Sequence, residues 1–204
     1  MNGCIGVYLH GFLSSAKSEK GQWLLQKNTI GNPRLFDDFI TVSYPNKSVI
    51  ESIQVIDSEI KKQLKKGKKV VLLGSSLGGF YAQYFAQIYQ LPYIMINPAL
   101  NSLPVFKANM GLHINPSTGE KVCIDEEYIN DLKKYDVSKP SENIPALLLI
   151  DLDDEVIDVN FAIQRYQKGD TGHCFKAKIY SGGDHRFIHM EEAWCEIEAF
   201  VTDL

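Results

Sequence analysis

Val70-Val71-Leu72-Leu73-Gly74-Ser75-Ser76-Leu77-Gly78-Gly79-Phe80-Tyr81-Ala82 joins an apolar run to a glycine-serine turn, and then to a stretch that can continue as a helix. The order buried strand, sharp turn, helix is the physical content of a nucleophile elbow. The central serine of G-x-S-x-G sits on a strained turn with its hydroxyl above the sheet, and side chains two positions either way would collide. Ser76 is therefore the candidate nucleophile, and Ser75, with no glycine two residues before it, is read as a turn residue. With Gly and Ser each at their average abundance, the bare pattern arises by chance in on the order of one chain in fifteen of this length. The flanking strand and helix therefore carry the weight, against a plain Gly-rich strand-to-helix turn.

Outward from this stretch, short apolar runs alternate with helical patterns. Ile5–Leu9 reads as a strand that ends at His10-Gly11-Phe12-Leu13-Ser14-Ser15, and Ser18 with Glu19 opens a helix through Trp23-Leu24-Leu25. Asp38–Ser43 reads as a second strand. Ser48 with Glu51 forms a capping-box pattern before Ile53, Ile56, Ile60 and Leu64, and Gly67 ends that helix. Tyr93–Ile96 and Ala146–Ile150 are further apolar strands, with a helix from about Asp158 to Gln167. Phe175–Tyr180 is the last strand, and a final helix runs from about His189 to Thr202. Continuous apolar strands separated by helices predict an α/β fold: a mostly parallel sheet of about six strands with helices on both faces.

Between Leu100 and Pro145 this regularity fades, apart from an Asn115-Pro116-Ser117-Thr118-Gly119 turn and a helix near Asp125–Lys134. An insertion of this length is functional in many compact domains, and it lies where strand C-termini point. It is read either as a cap that supplies Phe106 and Leu112 to a substrate pocket or as a structural excursion over the sheet edge.

The bulk numbers exclude several classes. A chain of 204 residues, 45% hydrophobic and 23% charged, suits one domain over residues 1–204. A net charge of -4 offers no basic field for nucleic acid. The lysines at 61, 62, 65, 66, 68 and 69 gather at one helix C-terminus, where water and the helix dipole suit them. No cationic leader and no run of 18 apolar residues are present, so neither a signal peptide nor a membrane span is expected, and a cytoplasmic location is. Cys4, Cys123, Cys174 and Cys195 show no C-x-x-C pairing, only His173 beside Cys174, and are expected to be buried, reduced thiols with no metal.

Serine needs a base, the base an orienting acid, and the developing oxyanion backbone donors. Ser76, Asp154 and His185 follow one another in the order used by α/β-hydrolases, the last two in the loops after the final two strands. His185 lies after the last strand behind two glycines, whereas His113 is in the insertion, His173 precedes a strand and His189 begins a helix. Asp154 competes with Asp151, Asp153, Glu155 and Asp158, any of which can cap the next helix. The Phe12 and Leu77 N–H groups are the expected oxyanion donors, and His10 precedes the elbow, on the wrong side of it for the base.

Taken together, Tyr8-Leu9-His10-Gly11-Phe12, Ser14-Ser15, Gly74–Ala82, Asn97-Pro98-Ala99, Asn115–Gly119, Asp154-Glu155-Val156 and Gly182-Gly183-Asp184-His185 resemble the YqiA-type esterases, small bacterial α/β-hydrolases. The resemblance runs nearly end to end and departs at Asp153, where glycine is common, and at Asp184, where asparagine is. It implies a compact α/β-hydrolase fold and a carboxylic-ester or thioester hydrolase without cofactor, in which Ser76 is nucleophile, Asp154 acid and His185 base. The alternative is a hydrolase-fold ligand-binding protein whose triad is idle. The substrate and oligomeric state are not legible.

Overall fold

The computed structural model describes residues 3–31, 33–167 and 174–204. His173 lies outside the described residues. Their elements follow the order β1 (Cys4–Leu9), α1 (Glu19–Ile30), β2 (Asp38–Thr41), α2 (Val49–Lys65), β3 (Lys69–Ser75), α3 (Leu77–Tyr89) and β4 (Tyr93–Ile96). The insertion follows as α4 (Ser102–Ala108), β5 (Gly111–Ile114), β6 (Lys121–Ile124) and α5 (Glu126–Lys134). The chain then returns through β7 (Ala146–Asp151), α6 (Val159–Tyr166), β8 (Phe175–Tyr180) and α7 (Met190–Thr202). Six strands form one sheet in the order β2-β1-β3-β4-β7-β8, each paired in parallel with its neighbour.

Alternation along the strands divides the core in two. Ile5, Val7, Leu9, Val70 and Leu72 pack with residues of α2, α3, the insertion and α6. Cys4, Tyr8, Val71 and Leu73 face the other way, toward Leu24 of α1 and Ala193, Ile197 and Phe200 of α7. Both faces being covered, the strands are apolar at successive positions; each fully buried side chain of the Leu72 kind contributes about 1.5–3 kcal/mol of transfer free energy.

Local signals fix the helix starts. Ser18 accepts from Gly21 N, Ser48 from Glu51 N, Asp125 from Tyr128 N and Asp158 from Phe161 N. The Ser48 capping box is half realised, because the Glu51 carboxylate pairs with Lys47 at 3.3 Å. In the lysine cluster, Lys61 pairs with Asp57 and Lys62 with Glu59, as a solvated helix face would.

Two expectations require correction. The insertion is more regular than its sequence, with α4 and the antiparallel β5-β6 hairpin. Pro104 is compatible with α4 because it lies in the first turn, where no helical N–H bond is due, and strands of four residues are too short to show a period. Cys4 is buried, but Cys123, Cys174 and Cys195 are free and exposed. Cys123 alternates with the buried Val122 and Ile124, so it takes the outer face of β6. No helix among the described residues is long and apolar enough to cross a membrane.

Candidate active site

Ser76 stands between β3 and α3 with φ 54° and ψ -123°, a conformation that strains a residue bearing a Cβ. The two glycines make the turn possible. A Cβ on Gly74 would lie 2.1 Å from the Gly78 carbonyl oxygen, and one on Gly78 would lie 2.1 Å from that of Leu9. Ser76 N donates to Ile96 O, and its carbonyl accepts from Gly79 and Ala99, so neighbouring backbone holds the turn.

His185 reaches the serine from the loop after β8, with Nε2 3.0 Å from Ser76 Oγ. Its Nδ1 lies 2.8 Å from Asp154 Oδ2, in the loop after β7. The Asp154 side chain is fully buried and that of His185 is 23% exposed. The other Asp154 oxygen accepts from Val156 N at 2.9 Å and Ile157 N at 3.1 Å, which fixes the carboxylate plane. A carboxylate facing Nδ1 requires the proton there, leaving Nε2 as the acceptor toward the serine.

The competing carboxylates have other partners. Asp158 caps α6, and Glu155 accepts from His185 N at 3.1 Å. Asp153 is exposed, while Asp184 turns its carboxylate onto Arg186 N at 2.8 Å. Asp151 is buried as deeply as Asp154 but binds His189, with Oδ1 2.6 Å from Nδ1.

Phe12 N and Leu77 N donate to no described residue, and Leu77 opens α3, where the N–H groups lack helical acceptors. The loop bearing Phe12 is braced from outside. Tyr44 OH donates to His10 O, Leu13 N donates to Asn46 Oδ1 at 3.1 Å, and Ser14 O accepts from both Asn46 and Asn115. His10 is buried against the Tyr44 ring, centroids 3.9 Å apart, and burial lowers its pKa. It has no contact with Ser76 Oγ of the kind His185 makes.

A cavity of about 270 Å³ opens beside Ser76 and His185. Phe12, Leu77, Val105, Phe106, Ile124 and Ile157 give it largely apolar walls, with His113 and Asn109 as its polar members. The insertion thus lines this space. Phe106 lies on its wall, touching Phe12 edge to face with ring centroids 5.1 Å apart. Leu112 does not: it is 66% exposed, because on β5 the inward position belongs to its neighbour His113. A larger open groove of about 630 Å³, lined by residues of β2 and α2, lies apart from the serine at the sheet edge. Among the described residues no three His, Cys, Asp or Glu side chains converge as a metal site would need.

Sequence reasoning missed Asn46, Asn97 and Asn115, whose roles depend on partners from 32 to 101 residues away. Asn97 and Asn115 stood in the sequence only within the motifs of the family resemblance, Asn115 also in a turn, with no role assigned to either.

The model of the family described as Uncharacterised protein family (UPF0227) matches residues 5–202, and the chain belongs to that family, the one its motifs pointed to. Among solved structures it is similar to Est1E from Butyrivibrio proteoclasticus with bound ferulic acid, at 14% identity and TM-score 0.74 over 98% of this chain and 88% of that one. A monoacylglycerol lipase from Paleococcus ferrophilus matches at 16% identity and TM-score 0.72, over 98% and 94%. Alpha/beta hydrolase domain-containing protein 10 from mouse matches at 16% and 0.67, over 98% and 90%. The fold is that of the α/β-hydrolases.

Proposed function

We propose that this member of the family is a serine hydrolase of small carboxylic esters or thioesters, acting through an acyl-enzyme on Ser76. The observation that carries the reading is the unbroken line of hydrogen bonds from Ser76 Oγ to His185 at 3.0 Å and from His185 to the buried Asp154 at 2.8 Å. Similarity of fold to esterases and a lipase agrees with it.

In this mechanism His185 Nε2 accepts the proton as Ser76 Oγ attacks the acyl carbon. Asp154 holds Nδ1–H and stabilises the imidazolium. The carbonyl oxygen, now negative, takes hydrogen bonds from Phe12 N and Leu77 N. Collapse of the intermediate breaks the ester or thioester bond, and His185 returns the proton to the departing alcohol or thiol. Water then attacks the acyl-Ser76 ester, giving its proton to His185, and the carboxylic acid leaves as Ser76 recovers its proton. The apolar cavity suits the acyl group, and its volume falls just under the usual range for drug-sized ligands, which favours a compact one.

The experiment is labelling with a fluorophosphonate beside turnover of chromogenic esters and thioesters of graded acyl length. The parent protein is expected to label and turn over, and Ser76→Ala to do neither. Labelling that survived Ser76→Ala would move the nucleophile elsewhere. Labelling of the parent without turnover of any ester would favour the binding protein with an idle triad.

A further inference from the structure

The loop that carries His185 is bound at both ends by a second aspartate-histidine pair that the mechanism does not use. Asp151 ends β7 with a fully buried side chain. Its Oδ1 lies 2.6 Å from His189 Nδ1, and its Oδ2 accepts from Ile188 N at 2.9 Å. Gly183 packs directly over this carboxylate: its φ is +82°, and a Cβ there would fall 2.1 Å from Asp151 Oδ2. One carboxylate therefore touches the loop two residues before His185 and again three and four residues after it. Asn97 extends the hold, accepting from Asp151 N at 2.8 Å and donating to Asp184 O at 2.9 Å. His189 is itself fixed, stacked on Tyr180 at 5.0 Å and leading into α7, where its carbonyl accepts from Ala193 N.

We propose that Asp151 and His189 form a positioning pair that clamps the 182–189 loop, so that the His185 imidazole lies between Ser76 and Asp154. A buried carboxylate left without its partner is costly, so the loop has one low-energy seat on it. A base displaced by even 1 Å loses much of its efficiency, which makes such a seat matter to the chemistry. Asp151 touches neither the serine nor the cavity; it acts on the reaction only through the loop. The proposal rests on the reading of His185 as the base.

The test compares His189→Leu, which removes the donor, with His189→Asn, whose amide can place a donor near the Nδ1 position, and with the near-isosteric Asp151→Asn. Two readouts are taken on folded protein well below its melting temperature. One is kcat and KM per fluorophosphonate-titrated site. The other is the NMR signal of the proton shared by His185 and Asp154 in protein with isotope-labelled histidine, assigned with His185→Gln. His189→Leu and Asp151→Asn are expected to lower kcat at least tenfold with KM within about twofold, and to broaden or shift the His185 signal; His189→Asn recovers part of both. A folded His189→Leu or Asp151→Asn protein with the parent's His185 signal would overturn the proposal, even if its melting temperature fell. If the parent neither labels nor hydrolyses any ester while the His185 signal responds as expected, the catalytic reading falls and the clamp stands.

Discussion

Asn115, at the turn of the insertion's hairpin, donates its side-chain amide to the carbonyl of Ser14 at 2.9 Å, across 101 residues of sequence. The insertion is thereby tied to the loop whose Phe12 N–H is assigned to the oxyanion, and Asn46 holds the same carbonyl at 3.0 Å. On the proposed reading, the substrate pocket and the oxyanion donors share one brace.

Asn115→Ala should therefore cost more than stability. Losing a buried hydrogen-bonding group is worth about 1–3 kcal/mol in folding. A loosened loop should also lower kcat/KM for esters by about tenfold, since a single displaced oxyanion donor costs more than that. Melting temperature and kcat/KM measured on one preparation decide the matter. A fall in the first with the second unchanged would show that the hairpin does not brace the loop.

Asp154→Asn should reduce kcat by about 10^4, as loss of the correct histidine tautomer does in comparable triads, whereas Asp153→Asn should cost less than twofold. The basis is that Asp154 is the carboxylate facing His185 Nδ1 while Asp153 is exposed. Equal losses in the two variants would mean that the local charge, rather than the hydrogen bond, is what matters.

The cavity predicts a chain-length pattern. Lengthening the acyl group should improve kcat/KM by up to about 0.8 kcal/mol per buried methylene, roughly fourfold, until the space is filled. Phe106→Ala should move the optimum to longer chains and Leu112→Ala should leave it in place. A shift of the optimum in Leu112→Ala would put that side chain against the substrate after all.

His10 predicts a pH dependence of stability. Burial lowers its pKa below the ordinary 6.5, so the folded protein resists a proton that the unfolded chain accepts. The stability from keeping it neutral is complete above pH 6.5 and is lost as pH falls from there through the lowered folded value, at up to about 1.4 kcal/mol per pH unit. His10→Phe keeps a ring against Tyr44 and removes the titration, so its urea-unfolding free energy should fall less steeply below pH 6.5. Parallel slopes for the two proteins would exclude His10 as the source.

By itself the sequence determined the strands of the main sheet, the elbow and most helix starts, because those depend on neighbours within a few residues. The apolar run before Gly74, the glycines flanking Ser76, and Ser18, Ser48 and Asp158 ahead of their helices act through backbone sterics and short-range hydrogen bonds, which spacing reveals. The order of Ser76, an acidic residue and His185 was legible for the same reason: each closes a strand that could be recognised. The family resemblance singled out Asp154, but which carboxylate meets which histidine depends on tertiary structure. Asp151 and Asp154 lie three residues apart, and both end up buried against a histidine; only the path of the loop after β8 gives His185 to Asp154 and His189 to Asp151. Tertiary structure likewise turned His113 rather than Leu112 toward the cavity, since the face of a four-residue strand is set by what the hairpin packs on. It also placed Asn46, Asn97 and Asn115, because an amide is satisfied by whichever carbonyl the fold brings within 3 Å, and nothing in the local sequence names a partner from 32 to 101 residues away.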